Sequence, residues 1–357
     1  MPSLSKGGAE RVVSILASEL VKQNREAVVV THFRADKEYP VNTDVKVVCL
    51  SNLNEAEYRK KMSTAYLVKL ARMLRREIIR QESDYILPFL WTTCIRTDLA
   101  LMGSSLKGRV IQTVRNNPEV FPENAMMKKY RNNLVRKSRL TIVQNNQQKQ
   151  YFPETQWVKI KVLPNPVSST LSQIERREDE SQFKIVGVGR LEAQKNFDLL
   201  IDAVADVSEK YGNVKLNIYG EGSMKNHLQE HIDRINLGQK ITLKGRSSDY
   251  SEIYGTASAF VLSSDFEGMP NTLLEAMAVG LPCISTDCPT GPSDIIESGK
   301  NGILVPMGDR NRLSQEIEKL IQHNEMRIDL AKAAKQTILS RYTPEKITQK
   351  FISICEE

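Results

Sequence analysis

Two glutamates eight positions apart are the first residues whose types and spacing could do chemistry. Glu267 lies in the Gly- and Pro-containing turn 263–270, and Glu275 lies in the helix-like run that follows. Backbone N–H groups at the start of such a helix bind anions. A carboxylate two turns later can accept both hydroxyls of a ribose, because it has two acceptor oxygens. Spacing alone leaves open a capped helix with one exposed and one partly buried glutamate.

Two cations five positions apart strengthen the first interpretation. Arg190 lies in the run VGVGRL, which ends a predicted strand, and Lys195 stands where the next helix pattern opens. A planar guanidinium and a compact ammonium at one strand-to-helix corner suit a diphosphate. The glycine-containing segments 220–222 and 243–246 also follow strand-like runs. The carboxyl ends of parallel strands form the ligand-binding edge of a sheet, so these segments are predicted to share it.

Alternating strand and helix patterns supply the elements that position these residues. Strands are predicted at 27–31, 45–50, 85–90, 110–114, 140–144, 183–188, 214–219, 241–244, 259–262 and 282–285. Helices are predicted at 10–22, 63–81, 125–137, 197–211, 223–235, 250–256, 271–279, 292–298 and 312–322. The pattern predicts an α/β protein with two Rossmann-like, doubly wound domains, 1–167 and 168–340. A C-terminal helix within 341–357 is expected to pack back on the first domain.

Composition limits the class of protein. The chain has 357 residues, of which 40% are hydrophobic and 26% charged, the balance of a globular protein. No apolar run approaches the ~20 residues that span a bilayer. The five scattered cysteines include no CxxC pair, so reduced, mostly buried thiols are expected and structural zinc is not.

Charge is unevenly distributed between the two halves. Residues 1–165 contain 28 Lys and Arg against 15 Asp and Glu, leaving 22 against 28 for 166–357. The run 58–81 is cationic on one face and apolar on the other, which suits an anionic membrane or a pyrophosphate-linked lipid. The simpler alternative is a surface helix whose charged face is solvated and whose apolar face packs on the sheet. The aromatic content is only 6%, and the sequence has no recognisable RNA- or DNA-binding motif. Both observations argue against nucleic-acid binding.

The motifs, taken together, resemble the retaining nucleotide-sugar glycosyltransferases of family 4. GRL…QKN stands at 189–196, GEG at 220–222, the E-x7-E motif DFEGMPNTLLEAMAVGLP at 265–282, and a similar tail at 285–309. The resemblance covers nearly the whole chain and implies the GT-B architecture, in which two Rossmann-like domains face a cleft. It is closest in kind to members that assemble polysaccharides and lipid-linked oligosaccharides.

The resemblance implies roles for residues at matching positions. Glu267, Arg190 and Lys195 are expected to be catalytic, Arg190 and Lys195 by holding the donor diphosphate, and Glu275 to bind the ribose. The remaining donor-binding residues are expected to be Gly7, Gly8, Gly245, Arg246, Gly268, Met269, Pro270, Asn271, Thr272 and Leu273. No DxD motif is present, and neither a metal nor another cofactor is expected.

The acceptor side departs from the family pattern. Many relatives have a histidine in the loop where this chain has QTVRNNP, so the acceptor roles of Arg115 and Asn116 stay open. A surface cation is the alternative for Arg115. The basic run adds Arg72, Arg75 and Arg76 as acceptor-side candidates.

The expected reaction is transfer of a hexose or N-acetylhexosamine, with retention, to a saccharide acceptor that is expected to be lipid-linked. Family frequency favours a UDP donor. The implied setting is the cytoplasmic face of the cell membrane, with the protein peripheral on it, in cell-surface polysaccharide or glycan assembly. A GT-B sugar-nucleotide epimerase and an inactive nucleotide-sugar-binding subunit are the alternatives. An oxidoreductase is disfavoured, because no GxGxxG follows a first strand.

The opening stretch MPSLSKGGAER resembles the donor-facing glycine loop of the family. Relatives have an apolar strand just before it, in the centre of the first sheet. Its absence is expected to leave costly unpaired backbone groups on neighbouring strands. Met1 is therefore expected to be an internal methionine taken as the start, or the chain to be truncated.

Overall fold

The computed structural model describes residues 1–5, 7–177, 179 and 181–357. These residues form two compact units. One unit comprises Met1–Pro166 together with Pro344–Glu357, and the other comprises Val167–Thr343. None of the helices in the described part of the chain is both long and apolar enough to cross a membrane.

Both units alternate strands with helices. The strands are β1 Val28–Thr31, β2 Lys46–Cys49, β3 Ile111–Val114, β4 Leu140–Val143, β5 Ile160–Val162, β6 Phe183–Val188, β7 Val214–Tyr219, β8 Ile241–Gly245, β9 Ala259–Leu262, β10 Cys283–Thr286 and β11 Ile303–Val305. The helices are α1 Gly8–Lys22, α2 Glu55–Lys60, α3 Thr64–Gln81, α4 Trp91–Ala100, α5 Ala125–Lys137, α6 Asn146–Gln150, α7 Phe197–Lys210, α8 Lys225–Arg234, α9 Tyr250–Tyr254, α10 Asn271–Val279, α11 Pro292–Ile295, α12 Arg310–Gln322, α13 Asn324–Arg341 and α14 Pro344–Glu356.

The first unit contains two parallel sheets, β1–β2 and β3–β4–β5. Helices α1 and α14 pack beside each other and share an apolar core with β3 and β4. The first residues of the chain lie along β1. The Met1 ammonium donates to the Val30 carbonyl at 2.8 Å, and the His32 amide donates to the Pro2 carbonyl at 2.9 Å. Part of the edge of β1 that was expected to be unpaired therefore has partners.

The prediction of a strand at 85–90 is wrong. Its only ladder contact is an isolated bridge between Ile86 and Val110. Pro88 has no backbone N–H to donate, which interrupts pairing. Its carbonyl instead accepts the Thr113 hydroxyl at 2.6 Å. The sequence patterns also missed the helices α2, α4, α6 and α13. They missed the strands β5 and β11 as well, because three residues are too few to show an alternating pattern.

The second unit is one six-stranded parallel sheet in the order β11-β10-β9-β6-β7-β8. The chain begins this sheet at its centre, with β6, and builds outward through β7 and β8. It then crosses to the other side of β6 and continues through β9, β10 and β11. The carboxyl ends of β6 and β9 are therefore neighbours, and they form the topological switch point at which open α/β sheets bind ligands.

Candidate active site

The switch point brings Lys195 and Glu267 into contact. Lys195 follows β6 and Glu267 follows β9, and 2.5 Å separates Lys195 Nζ from Glu267 Oε1. The Ser264 hydroxyl donates to the same carboxylate oxygen at 2.7 Å. Only 12% of the Lys195 side chain and 7% of the Glu267 side chain are exposed. Two opposite charges are thus held at a fixed separation away from bulk water, where their field on a ligand is strong.

Hydrogen bonds between the two loops hold this pair in place. The Gln194 side chain donates to the Phe266 carbonyl at 2.7 Å, and the Asp265 amide donates to the Gln194 carbonyl at 2.9 Å. The Asn196 side chain donates to the Asp265 carboxylate at 2.8 Å while it caps α7. Neither Gln194 nor Asp265 was predicted as a site residue. Their part depends on β6 and β9 being neighbours, which no local pattern reveals.

Residues 289–291 pack against the turn that carries Glu267. The Thr290 hydroxyl donates to the Glu267 carbonyl. Gly291 has φ +106°, and a Cβ there would lie 2.8 Å from Pro270 Cδ. The side chains of Met269 and Leu273 are buried in the apolar core. These two predicted donor residues can therefore reach a ligand through their backbone and not through their side chains.

We expect Gly291→Ala to lower both stability and activity. The backbone conformation costs an alanine about 1–3 kcal/mol, and the new methyl group would push on the turn that holds Glu267. Gly299 is the matched control, because its φ of +82° is equally unfavourable for alanine but open space surrounds it. Gly299→Ala should lower the melting temperature alone. Equal activity loss in both variants would contradict the supporting role of Gly291.

Arg190 is the exposed cation of the site. Its guanidinium donates to the Gln194 side chain at 3.3 Å. Gly189 beside it makes room for the lysine, since a Cβ there would lie 3.1 Å from Lys195 Cε. The GEG segment closes against the same loop, and a Cβ on Gly220 would lie 1.8 Å from the Gly189 carbonyl oxygen. Glycine at position 220 is therefore a packing requirement, and at position 189 a side chain would have to shift Lys195 slightly.

Glu275 is buried on α10, with 4% of the residue exposed. The Tyr254 hydroxyl donates to Glu275 Oε2 at 3.1 Å, which fixes the carboxylate against α9. Gly245 ends β8 with φ +72°, and its carbonyl accepts the Gly220 amide at 2.8 Å. Arg246 follows it and is exposed. Tyr254 was not foreseen, because its distance from Glu275 along the chain is large.

Cys288 also lies near this site without offering a nucleophile. Burial first, and the negative charge of Glu267 second, raise the pKa of the Cys288 thiol to about 12. The thiol is therefore protonated at neutral pH. All five cysteines are unpaired, as the sequence predicted. Across the residues that the structure describes, no three His, Cys, Asp or Glu side chains are placed to hold a metal ion.

Gly7 and Gly8 open α1 in the other unit, Gly7 as the N-cap and Gly8 as the first helical residue. The Glu10 carboxylate folds back over this end, because a Cβ on Gly7 would lie 1.9 Å from Glu10 Oε2. Burial raises the pKa of Glu10. A larger residue at position 7 would therefore have to displace the Glu10 carboxylate, which is the flexible end of a side chain. A ligand anion at this helix start would meet the same carboxylate, which the sequence did not suggest.

Arg115 is a half-buried cation. Its guanidinium lies 4.6 Å from the centre of the Phe89 ring and donates to the Asn165 side chain. Its Nε is buried and has no hydrogen-bond partner among the described residues. Burial lowers the pKa of Arg115 to about 9, so the group is still charged at pH 7. The Asn116 carbonyl accepts the Gln148 side chain at 3.3 Å.

The three candidate arginines of helix α3 differ in their contacts. Arg75 donates at 3.0 Å to the carbonyls of Ala100 and of Met102, so it ties α3 to the end of α4. Arg72 and Arg76 are exposed. The same helix exposes the apolar side chains Leu67, Val68 and Ile79.

Comparison with known families covers most of the chain. Residues 6–171 match the model described as Glycosyltransferase Family 4, and residues 170–337 match the model described as Glycosyl transferases group 1. The chain belongs to the family 4 glycosyltransferases. Its fold is GT-B, built from two Rossmann-like domains, and its reaction is the transfer of a sugar.

Relatives of this glycosyltransferase match it over different lengths. The amylovoran biosynthesis glycosyltransferase AmsD of Erwinia amylovora is 26% identical, over 98% of this chain and 96% of that protein. An α-1,4-N-acetyl-D-galactosaminyltransferase of Campylobacter jejuni, named for an acceptor on PP-undecaprenol, is 26% identical over 94% and 91%. An uncharacterized glycosyltransferase of Methanocaldococcus jannaschii is 35% identical, but the match spans about half of each protein, 48%.

Solved structures share the fold of this glycosyltransferase at lower identity. The crystal structure of Anabaena Alr3699/HepE in complex with UDP and glucose has a TM-score of 0.80 and 16% identity. The match covers 100% of this chain and 98% of that one. At this identity the likeness concerns the fold.

Proposed function

We propose that this glycosyltransferase moves a hexose or N-acetylhexosamine from a nucleotide sugar to a saccharide acceptor with retention at the anomeric carbon. The Lys195–Glu267 pair at the switch point of the second unit carries the proposal. It combines a cation for a leaving diphosphate with a carboxylate for the sugar. The Arg190 guanidinium supplies a second cation. It donates a hydrogen bond to the side chain of Gln194, the residue just before Lys195.

In this proposal the reaction needs only groups of the chain and its substrates. The bond between the anomeric carbon and the donor phosphate breaks, and Lys195 and Arg190 stabilise the charge that develops on the leaving diphosphate. The acceptor hydroxyl attacks from the same face and gives its proton to a leaving phosphate oxygen. Glu267 stabilises the positive sugar ring, and Glu275 holds the ribose. No metal cofactor is assigned.

A UDP donor and a lipid-pyrophosphate acceptor fit this proposal best. The HepE structure is described with UDP, and the C. jejuni relative is named for an acceptor on PP-undecaprenol. Arg115 supports an anionic acceptor. A guanidinium whose buried Nε has no partner among the described residues gains from a nearby negative charge.

A donor panel scored with and without acceptor tests the proposal. We expect hydrolysis of one UDP-sugar, and faster turnover when a lipid-pyrophosphate saccharide is added. Isomerisation of the sugar nucleotide without acceptor would instead favour the epimerase. Binding of nucleotide with no turnover of any donor would favour an inactive subunit.

We further propose that α3 lies on an anionic membrane surface. Its outward side mixes the exposed cations Lys69, Arg72 and Arg76 with exposed apolar side chains. The one acidic residue of the helix, Glu77, is buried and pairs with Arg80 at 2.8 Å. Such a surface gains both from anionic headgroups and from partial insertion of apolar groups.

Vesicle sedimentation tests this surface. We expect binding to vesicles that contain anionic lipid, and a loss of about 30-fold in the double variant Arg72→Gln/Arg76→Gln, at ~1 kcal/mol per charge. The variant Lys332→Gln/Arg341→Gln removes two exposed cations from the other unit and serves as control. Equal binding to neutral and anionic vesicles, or equal losses in both variants, would contradict the assignment.

A further inference from the structure

A groove of about 810 Å³ opens in the first unit between α5 and the residues that follow α6. Neither the proposed donor site nor the acceptor-side candidates contribute to it. Its lining includes Lys129, Tyr130, Arg136, Tyr151, Phe152 and Gln156. A volume of this size is that of a ligand site.

An unsatisfied carboxamide lies in the groove wall. Gln156 Oε1 is buried and has no hydrogen-bond partner in the part of the chain that the structure describes. Leaving a buried acceptor unpaired costs free energy that a ligand donor restores. The neighbouring carboxamide of Asn133 is oriented by Arg136, whose guanidinium donates to Asn133 Oδ1 at 2.8 Å. The groove therefore offers fixed amide groups of the kind that bind hydroxyls.

The aromatic part of the lining is held rigidly. The buried guanidinium of Arg131 lies 5.0 Å from the centre of the Tyr151 ring and 5.8 Å from that of Phe152. On the opposite wall, the Tyr130 hydroxyl donates to Asp98 at 2.6 Å. Phe152 is itself buried. The half-buried rings of Tyr130 and Tyr151, fixed in this way, present apolar area at little entropic cost, as the faces of sugar rings require.

The charge of the groove has one sign. Lys129 and Arg136 both line it, and no lining residue is acidic. Arg136 donates to a neutral carboxamide, and Lys129 has no ion-pair or hydrogen-bond partner in the chain as described. Two cations without a carboxylate favour a ligand that carries negative charge.

We propose that this groove binds an anionic glycan chain. Amide groups, fixed aromatic rings and uncompensated cations together suit a saccharide with carboxylate or phosphate groups. A concave site suits such a chain better than it suits a flat bilayer. The inference does not depend on the proposed reaction, because binding in the groove requires no nucleotide sugar.

Intrinsic fluorescence offers a direct test, since each of the two tryptophans of the chain contacts a residue that lines the groove. The Trp157 indole donates to the Phe152 carbonyl at 2.8 Å, and the Trp91 ring packs edge-on against Tyr130 at 6.0 Å. We expect hexagalacturonate to change the emission of the full chain saturably. The neutral hexasaccharide maltohexaose should bind at least about tenfold more weakly.

Charge variants assign the binding to the groove. Lys129→Gln/Arg136→Gln should weaken hexagalacturonate binding about tenfold or more. Lys137→Gln/Arg139→Gln removes two exposed cations that do not line the groove and should change binding little. Gln156→Leu should weaken binding without lowering the melting temperature, because it removes an unsatisfied group.

Three results would overturn the proposal. They are no saturable change up to millimolar hexagalacturonate, equal binding of both hexasaccharides, and equal losses in the two charge variants. Sedimentation with anionic vesicles that requires Lys129 and Arg136, without saccharide binding, would assign the surface to a membrane instead. Because the titration contains no nucleotide sugar, its failure leaves the donor panel unaffected.

Discussion

Replacing Lys195 by alanine should reduce the rate of sugar transfer by about 10²–10³-fold. The ammonium is the buried cation of the site, and its removal leaves the charge of a departing diphosphate without its compact partner. The loss should appear in kcat at saturating donor, because the stabilised charge develops in the transition state. Steady-state kinetics of donor hydrolysis and of transfer measure it.

Stability has to be followed in the same variant. Glu267 has 7% of its side chain exposed, and breaking a buried pair costs about 3–5 kcal/mol when one charge is left alone. Lys195→Met preserves more of the packing and should fold better while staying slow. Lys184→Ala is the matched control, since Lys184 pairs with Asp179 at 3.1 Å at the amino end of β6. If folded Lys195→Met turned over donor at the wild-type rate, Lys195 would have no catalytic role.

Replacing Glu275 by glutamine should weaken donor binding by about 10–100-fold, because a charged acceptor of ribose hydroxyls contributes about 1.5–3 kcal/mol per hydrogen bond. The carboxamide oxygen of glutamine can still accept the Tyr254 hydroxyl, so the fold should be preserved. Titration calorimetry with UDP measures the dissociation constant directly, without the need to know the sugar.

Tyr254→Phe separates the charge of Glu275 from its orientation. It removes the hydroxyl that donates to Glu275 Oε2 and leaves the carboxylate in place. UDP binding should weaken much less in this variant than in Glu275→Gln. Wild-type UDP affinity in Glu275→Gln would rule out the ribose role, and equal losses in the two variants would make the effect one of packing.

The sequence predicted well what is local. The glycine turn that carries Glu267 and the helix α10 that carries Glu275 are consecutive in the chain, and the structure forms both where the sequence predicted them. Strands β6 to β10 of the second unit were also foreseen, because buried parallel strands appear as short apolar runs. Strand order was not foreseen, and it is strand order that puts Lys195 beside Glu267.

What the sequence missed depends on contacts between distant segments. Gln194 and Asp265 meet only because β9 lies next to β6. Arg75 resembled its neighbours Arg72 and Arg76, but the end of α4 offers it two carbonyls. The segment 85–90 has the apolar residues of a strand and yet a proline where the ladder needs a donor. These differences are set by tertiary packing, which overrides local preference.

The anomeric configuration of the first product tests the central claim most directly. Proton NMR of the early reaction, with the donor that the panel selects and its acceptor, distinguishes α- from β-linked sugar before any later step. Transfer from one face at the Lys195–Glu267 site predicts the same configuration in product and donor. An inverted product would contradict the proposed mechanism.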